Sequence, residues 1–266
     1  MLIRLIVNAD DFGFNQDVNE GILEAHRNGI LTAATLMANG EAFEHAVATA
    51  RANPTLDVGC HLTLIGGRSV LDPSRELPAT IPELLAALTR RKLPVYEEFH
   101  AQVTRIKAAG IAPTHLDTHK HTHLAWPVLA AVVRIAREFG VRWVRRPFDF
   151  STPDAAPLST RLVHRAMRTQ QRYFQRTLAR AGVRATDHFA GFQLTGRLGT
   201  AELVDLIGRL PDGITELMCH PGYMGRELPG ASTRLKQSRE IELHALTSPE
   251  ARAALERRRV QLSAYA

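Results

Sequence analysis

The chain has 266 residues, 45% hydrophobic and 23% charged, with a formal net charge of +6. That profile excludes a disordered or fibrous chain and leaves one large α/β unit or two small ones. The arginine-rich balance, visible in RWVRR (142–146) and ERRR (256–259), can attract anions; without a nucleic-acid motif, a solvated surface with no nucleic-acid partner is expected.

Short apolar runs alternate with helical stretches along the chain. LIRLIV (2–7) reads as a strand buried on both faces, followed by a helix over 15–29 closed by Gly29. TAATLMA (32–38) predicts a strand, 41–52 a helix stopping before Pro54, and LDVGCHL (56–62) another strand. The segment 80–110 is expected to be helical, with Thr80 as a cap and Gly110 as an end. Then come the strand PTHLDTH, a helix over 126–140, the strand VRWVRRPF (141–148) and a long basic helix at about 158–181. TDHFAGF (186–192), a helix over 200–210 and the strand ITELMCH (214–220) follow. Two tail helices, around 234–246 and 249–258, precede a last strand, VQLSAY. Such alternation predicts parallel strands with covering helices, and its seven or eight units favour a (β/α) barrel over an open sheet, roughly one unit per strand.

Cys60 and Cys219 lack CxxC spacing and each precedes a histidine, so both are expected to face an inert core in a reducing compartment. MLIRLIVNADDFG is too short and wrongly flanked for a signal peptide. No later run reaches transmembrane length, so a cytoplasmic protein without stable membrane insertion is expected.

Chemistry collects at the predicted strand ends. Asp10 and Asp11 end the first strand, His61 the third, Asp117 and His119 the THLDTH strand, and His220 the ITELMCH strand. In parallel α/β folds these ends share one edge, where active sites form. THLDTHKHTHL (114–124) sets His115, Asp117, His119, His121 and His123 at period 2, which in an extended chain would face one way. Imidazoles and carboxylates gathered like this suit a divalent metal. Simpler roles exist: the aspartates could cap the next helix, and His61 alone could be a satisfied core histidine. Adjacent carboxylates can also divide labour, one binding metal while the other acts as a base, with His220 protonating a leaving group.

NADDFG (8–13), GCHLTL (59–64), THLDTHKHTH (114–123) and ELMCHPG (216–222) resemble, in order and spacing, the motifs of the YdjC-like carbohydrate deacetylases. The resemblance spans nearly the whole chain and implies a single domain over 1–266, a distorted (β/α) barrel. It implies that Asp11, His61 and His119 hold the metal, that Asp10 is the general base and that His220 is the general acid. The implied reaction removes the N-acetyl group of an amino sugar, in an oligosaccharide or a glycolipid. One divalent cation is implied: zinc suits two imidazoles and a carboxylate, and magnesium is the family-type alternative. Asp117, His121, His123, Arg146 and His188 are further candidates for substrate contact or for supporting the site, and a homodimer is suggested by analogy. The histidine at the Lys120 position of chitooligosaccharide enzymes is missing, and TDHFAGFQLTGRL (186–198) looks more like the branch associated with hopanoid glycolipids. Two rival readings are a metal-dependent phosphoesterase on a similar barrel and a non-catalytic sugar-binding protein.

Overall fold

The computed structural model describes residues 2–150 and 158–266. In chain order it contains β1 (Ile3–Phe12), α1 (Gln16–Asn28), β2 (Ala33–Leu36), α2 (Phe43–Ala52), β3 (Asp57–Leu62), α3 (Ile81–Thr89) and α4 (Val95–Ala108). Then come β4 (His115–Thr118), a 3-10 turn (His119–Leu124), α5 (Trp126–Phe139), β5 (Trp143–Val144), α6 (Leu158–Thr169) and α7 (Gln171–Arg180). The chain finishes with β6 (His188–Ala190), α8 (Thr200–Gly208), β7 (Gly213–Cys219), α9 (Gln237–Thr247), α10 (Pro249–Arg258) and β8 (Gln261–Leu262).

The strands form one sheet in the order β5-β4-β3-β2-β1-β7-β6, with β8 beside the start of β1. Every pairing is parallel. Single parallel bridges, Trp143 to Arg184 and Asp149 to Phe189, bring the two edges together. The sheet therefore curls into a distorted (β/α) barrel that closes only by bridges. At its centre, β1 pairs with β7 over Ile3–Ala9 and with β2 from Asn8 to Phe12.

Helices cover the sheet through apolar stripes. In α5 the stripe is Val128, Leu129, Val132, Ile135 and Ala136, at helical spacing, and the helix stops at Gly140 in the left-handed region (φ 71°). Thr80 caps α3 through the Glu83 amide, as its sequence position predicts. The basic stretch 158–181 is two helices broken at Gln170, not one. The predicted strand 141–148 shrinks to Trp143–Val144: after the Arg145 amide bonds the Leu116 carbonyl, the chain leaves β4 and next bridges β6 at Asp149. Among the described residues no helix is long and apolar enough to cross a membrane.

Register aligns the site. His61 on β3 lies directly opposite Asp117 on β4. Gly59 permits that close approach: a Cβ there would stand 2.6 Å from the ring and the carbonyl of His115. Cys60 and Cys219 are both buried and free.

Candidate metal centre and active site

β1 runs on through the aspartate pair to Phe12, but its register with β2 shifts between Ala9 and Phe12. Asp11 sits at φ 67°. A non-glycine residue held there is strained, and such strain concentrates at working sites. Its effect is to send the two carboxylates to different partners. Neither caps α1, whose cap is Asn15, accepting from the Val18 amide at 2.9 Å.

Asp11 turns toward two histidines. Its Oδ1 lies 3.4 Å from His61 Nε2 and 3.1 Å from His119 Nδ1, and those nitrogens are 3.3 Å apart. On the far side of its ring, His61 Nδ1 lies 2.7 Å from Asp117 Oδ1, which fixes the proton on Nδ1 and leaves the Nε2 lone pair facing Asp11 and His119. Three electron-pair donors thus converge, an arrangement that repels itself unless a cation or a proton sits between them. Tetrahedral coordination at about 2.1 Å would space donors about 3.4 Å apart, so the triangle fits a small divalent ion. Burial disfavours the His61 imidazolium, but Asp117 and Asp11 overcome it and raise the ring to about 10. The proton holds a place where positive charge is demanded. Asp11 itself, despite burial, is held well below the usual carboxylate range by Arg239 and by His119 and His61. Replacing Asp11 or His61 by alanine is expected to reduce bound divalent metal from about one ion per chain to near zero, read by elemental mass spectrometry after dialysis.

Asp10 faces the other way, onto a buried guanidinium. Arg145 Nη2 and Nη1 donate to its two oxygens at 2.6 and 2.7 Å. Nη1 also reaches Asp117 Oδ2 at 2.7 Å, and Nε reaches Glu216 Oε1 at 2.6 Å. One arginine therefore ties three carboxylates from β1, β4 and β7, and all four side chains are buried. Burial pushes the Asp10 carboxyl up to about 7, with Arg145 pulling against it. Near neutral pH this group can both take and give a proton.

Across from Asp10, His220 places Nε2 3.9 Å from Asp10 Oδ2. Its amide donates to Glu242 Oε2 at 2.6 Å, and its Nδ1, 3.9 Å from the same oxygen, has no hydrogen-bond partner among the described residues. Burial lowers the imidazole to about 3 and raises Glu242 to about 7. A cavity of about 410 Å³ opens over these groups, bordered by Phe14, Lys120, His121, Phe192, Thr233 and Arg234.

The structure thus brings Asp10, Asp11, His61, His119 and His220 together. Asp117 is fully buried beneath them, bonded to His61, Arg145 and Thr35. His121 lines the cavity, edge-on to Phe189 and with its Nδ1 unpartnered among the described residues. His123 turns away from the cavity: Nδ1 meets Thr118 Oγ1, and Nε2 bonds the Arg145 carbonyl at 3.1 Å. Two expectations need correction. Arg146 does not reach the cavity; its guanidinium donates to the Asp187 carbonyl. His188 opens β6 opposite Thr215, near the wrong end of the strands, and bonds the Asp212 carbonyl at 3.1 Å.

Sequence reasoning missed Arg145, Glu216, Arg239 and Glu242. Glu216 carried a readable signal, since it shares the period-2 face of His220, whose other strand members, Ile214 and Met218, are apolar. Arg239 and Glu242 are buried on α9, and their helix offers no such clue.

Fold and site together define a curled parallel (β/α) barrel with a His/Asp metal-binding cluster at the carboxyl edge of its strands. The chain belongs to the YdjC-like protein family, whose model matches residues 4–257. It is 34% identical to a carbohydrate deacetylase of Brevibacillus brevis, over 99% of this chain and 98% of that one. With a carbohydrate deacetylase of Geobacillus stearothermophilus the identity is 36%, over 98% and 96% of the two chains. A solved structure from Enterococcus faecalis, described provisionally as a cellobiose-phosphate cleavage protein, superposes with a TM-score of 0.76 at 24% identity, over 100% of this chain and 98% of that one. That likeness shows the fold.

Proposed function

We propose that the protein is a carbohydrate N-deacetylase, hydrolysing the acetamide of an N-acetylated amino sugar to acetate and free amine. The observation that carries this reading is the Asp11–His61–His119 triangle set beside an Asp10 held by Arg145 and an opposed His220. The names of the relatives agree with it. Asp11, His61 and His119 would hold the cation, and zinc suits two imidazoles and one carboxylate better than magnesium does. When bound, the cation polarises the acetyl carbonyl and acidifies water.

The chain's own residues do the proton work. Asp10 takes the proton of the attacking water, and the bidentate grip of Arg145 fixes the direction in which its oxygens point. His220, neutral at rest because it is buried, faces Asp10 with Nε2 3.9 Å from its Oδ2, beyond a direct hydrogen bond, so a bridging water or substrate oxygen carries the proton between them. His220 passes the proton to the sugar nitrogen, which becomes basic once conjugation with the carbonyl is lost. Water is consumed, the C–N bond breaks, and acetate and amine leave. Glu242 holds the His220 backbone and stands 3.9 Å from its Nδ1, so it favours the ring's transient positive charge.

A two-metal phosphoesterase would need a second cation site. Among the described residues the other His/Asp group, Asp10, His61 and Asp117, is spanned by the Arg145 guanidinium, which already supplies its positive charge. Acetate release from N-acetylglucosamine oligosaccharides and glycolipids tests the proposal. Release should stop on chelation and return with added zinc. Release indifferent to chelator, or phosphate ester cleavage without acetate release, would overturn the reading.

A further inference from the structure

The helices α6 and α7 take no part in the proton chemistry, yet their composition is unusual. No acidic residue occurs between Asp154 and Asp187. Within that stretch α6 carries Arg161, Arg165 and Arg168, and α7 carries Arg172, Arg176 and Arg180. None of the six forms an ion pair among the described residues. Helical spacing puts Leu162, Ala166 and Val163 on one face of α6 and its three arginines on the adjoining one, with Leu158 at the boundary between them. A surface helix normally buries such an apolar face. Here Leu158 is 71% exposed, Leu162 57% and Val163 51%, while Met167 at the edge of the stripe is buried.

The neighbouring surface has the same character. Phe174 and Leu178 anchor α7 in the core. Tyr173 instead faces outward, stacked on Trp126 with ring centroids 4.9 Å apart, and Trp126 is 65% exposed. Trp126 opens α5 directly after the turn that carries His119 and His121, and Phe174 lies against His123 at 5.5 Å. Through these contacts α7 and the Trp126–Tyr173 stack sit beside the turn that carries His119 and His121.

We propose that α6, with α7 and the Trp126–Tyr173 stack, is an interfacial element that docks the protein reversibly on an anionic lipid surface. Aliphatic side chains on one face, arginines on the adjoining one and aromatic rings beside them are the composition of helices that lie in a headgroup layer. The six arginines, without an ion pair among the described residues, supply the charge complementarity. A second copy of the chain fits less well: burying the Leu158–Val163 face between copies would gather twelve α6 and α7 arginines with no acid from those helices to pair them. A nucleic acid would engage the arginines and leave the exposed leucines without a role. The inference concerns binding alone and does not depend on the reaction assigned to the cavity.

Flotation of the full chain with vesicles tests it, comparing phosphatidylcholine alone with phosphatidylcholine containing phosphatidylglycerol. The protein should float only with the anionic vesicles, and raising salt to about 0.5 M should weaken binding about tenfold or more. Trp126 emission should shift to the blue on binding, since the other tryptophan, Trp143, is already buried. The triple change Leu158→Ser, Leu162→Ser, Val163→Ser removes only exposed groups and should cut partitioning about tenfold or more. Should that variant fail to fold, Arg161→Glu with Arg165→Glu and Arg168→Glu asks the same question through exposed charge. Failure to float with anionic vesicles would overturn the proposal, as would partitioning unchanged in both variants. Dimers that the serine variant dissociates, without vesicle binding by the parent, would overturn it in favour of self-association. RNA binding in place of vesicle binding would also overturn it.

Discussion

Replacing Arg145 by methionine is expected to destabilise the fold by about 3–5 kcal/mol and to lower kcat at least about a hundredfold. The volume is nearly conserved, so the effect is electrostatic. Asp10, Asp117 and Glu216 lose the one guanidinium that reaches all three, and each stays buried. The penalty has a direction in pH. Arg145 opposes the upward push of burial on Asp10 and helps hold Asp117 well below its ordinary value of 3.8. Without it, the folded-state value of Asp10 climbs further above its unfolded one, and Asp117 loses the largest influence that keeps it low. The variant then keeps its stability where they are protonated and loses it as pH climbs. Urea unfolding should therefore show a gap from the parent that is small near pH 4 and widens toward about pH 8. The same shift acts on catalysis: Asp10 must be ionised to take a proton, so the acid limb of kcat/KM should move to higher pH. A uniform loss with an unmoved limb would mean that Arg145 only supports the fold. Arg145→Lys should fall between, since it restores charge but not the two-pronged grip.

The ends of the strands were legible because buried parallel strands tolerate few polar residues. Asp10, Asp11, His61, Asp117 and His220 stand out against apolar runs, and the fold rule sends those ends to one edge. The histidine ladder was less legible. Period-2 spacing puts its five members on one face only while the chain stays extended. It leaves the strand after Thr118, and Lys120 and His121 adopt positive φ, at 54° and 53°. The members then separate: His115 stacks on Tyr265, His119 joins Asp11, His121 lines the cavity and His123 turns back to the Arg145 carbonyl. Nothing in RWVRR says which arginine turns inward. Tertiary pairing decides it: the Arg145 amide bonds the Leu116 carbonyl, which carries the β4 edge one residue beyond β5 and turns Arg145 into the barrel, while Arg146 points outward. Arg239 and Glu242 come from α9, whose burial under the barrel rim no local pattern announces.

Asp10→Asn is expected to lower kcat by about 10²–10⁴-fold while leaving bound metal and the fold intact. The triangle of Asp11, His61 and His119 does not include Asp10, so metal content should stay with the parent's. Arg145 keeps Asp117 and Glu216 as partners, and the asparagine carbonyl can still accept from its guanidinium. What disappears is the group that takes a proton. The pH dependence of stability gives a second readout. The folded Asp10 carboxyl stands at about 7, above its ordinary 3.8, so its contribution is full below the lower value and lost as pH rises through the upper one. Asparagine cannot ionise, so the variant's stability should decline less steeply than the parent's over that window. Metal loss in the variant would make Asp10 a ligand and not a base. Normal turnover would remove it from the reaction and leave the attacking water to be deprotonated elsewhere. Slow turnover with metal retained and a flattened stability profile would be the signature of one carboxylate that binds no metal and moves the proton.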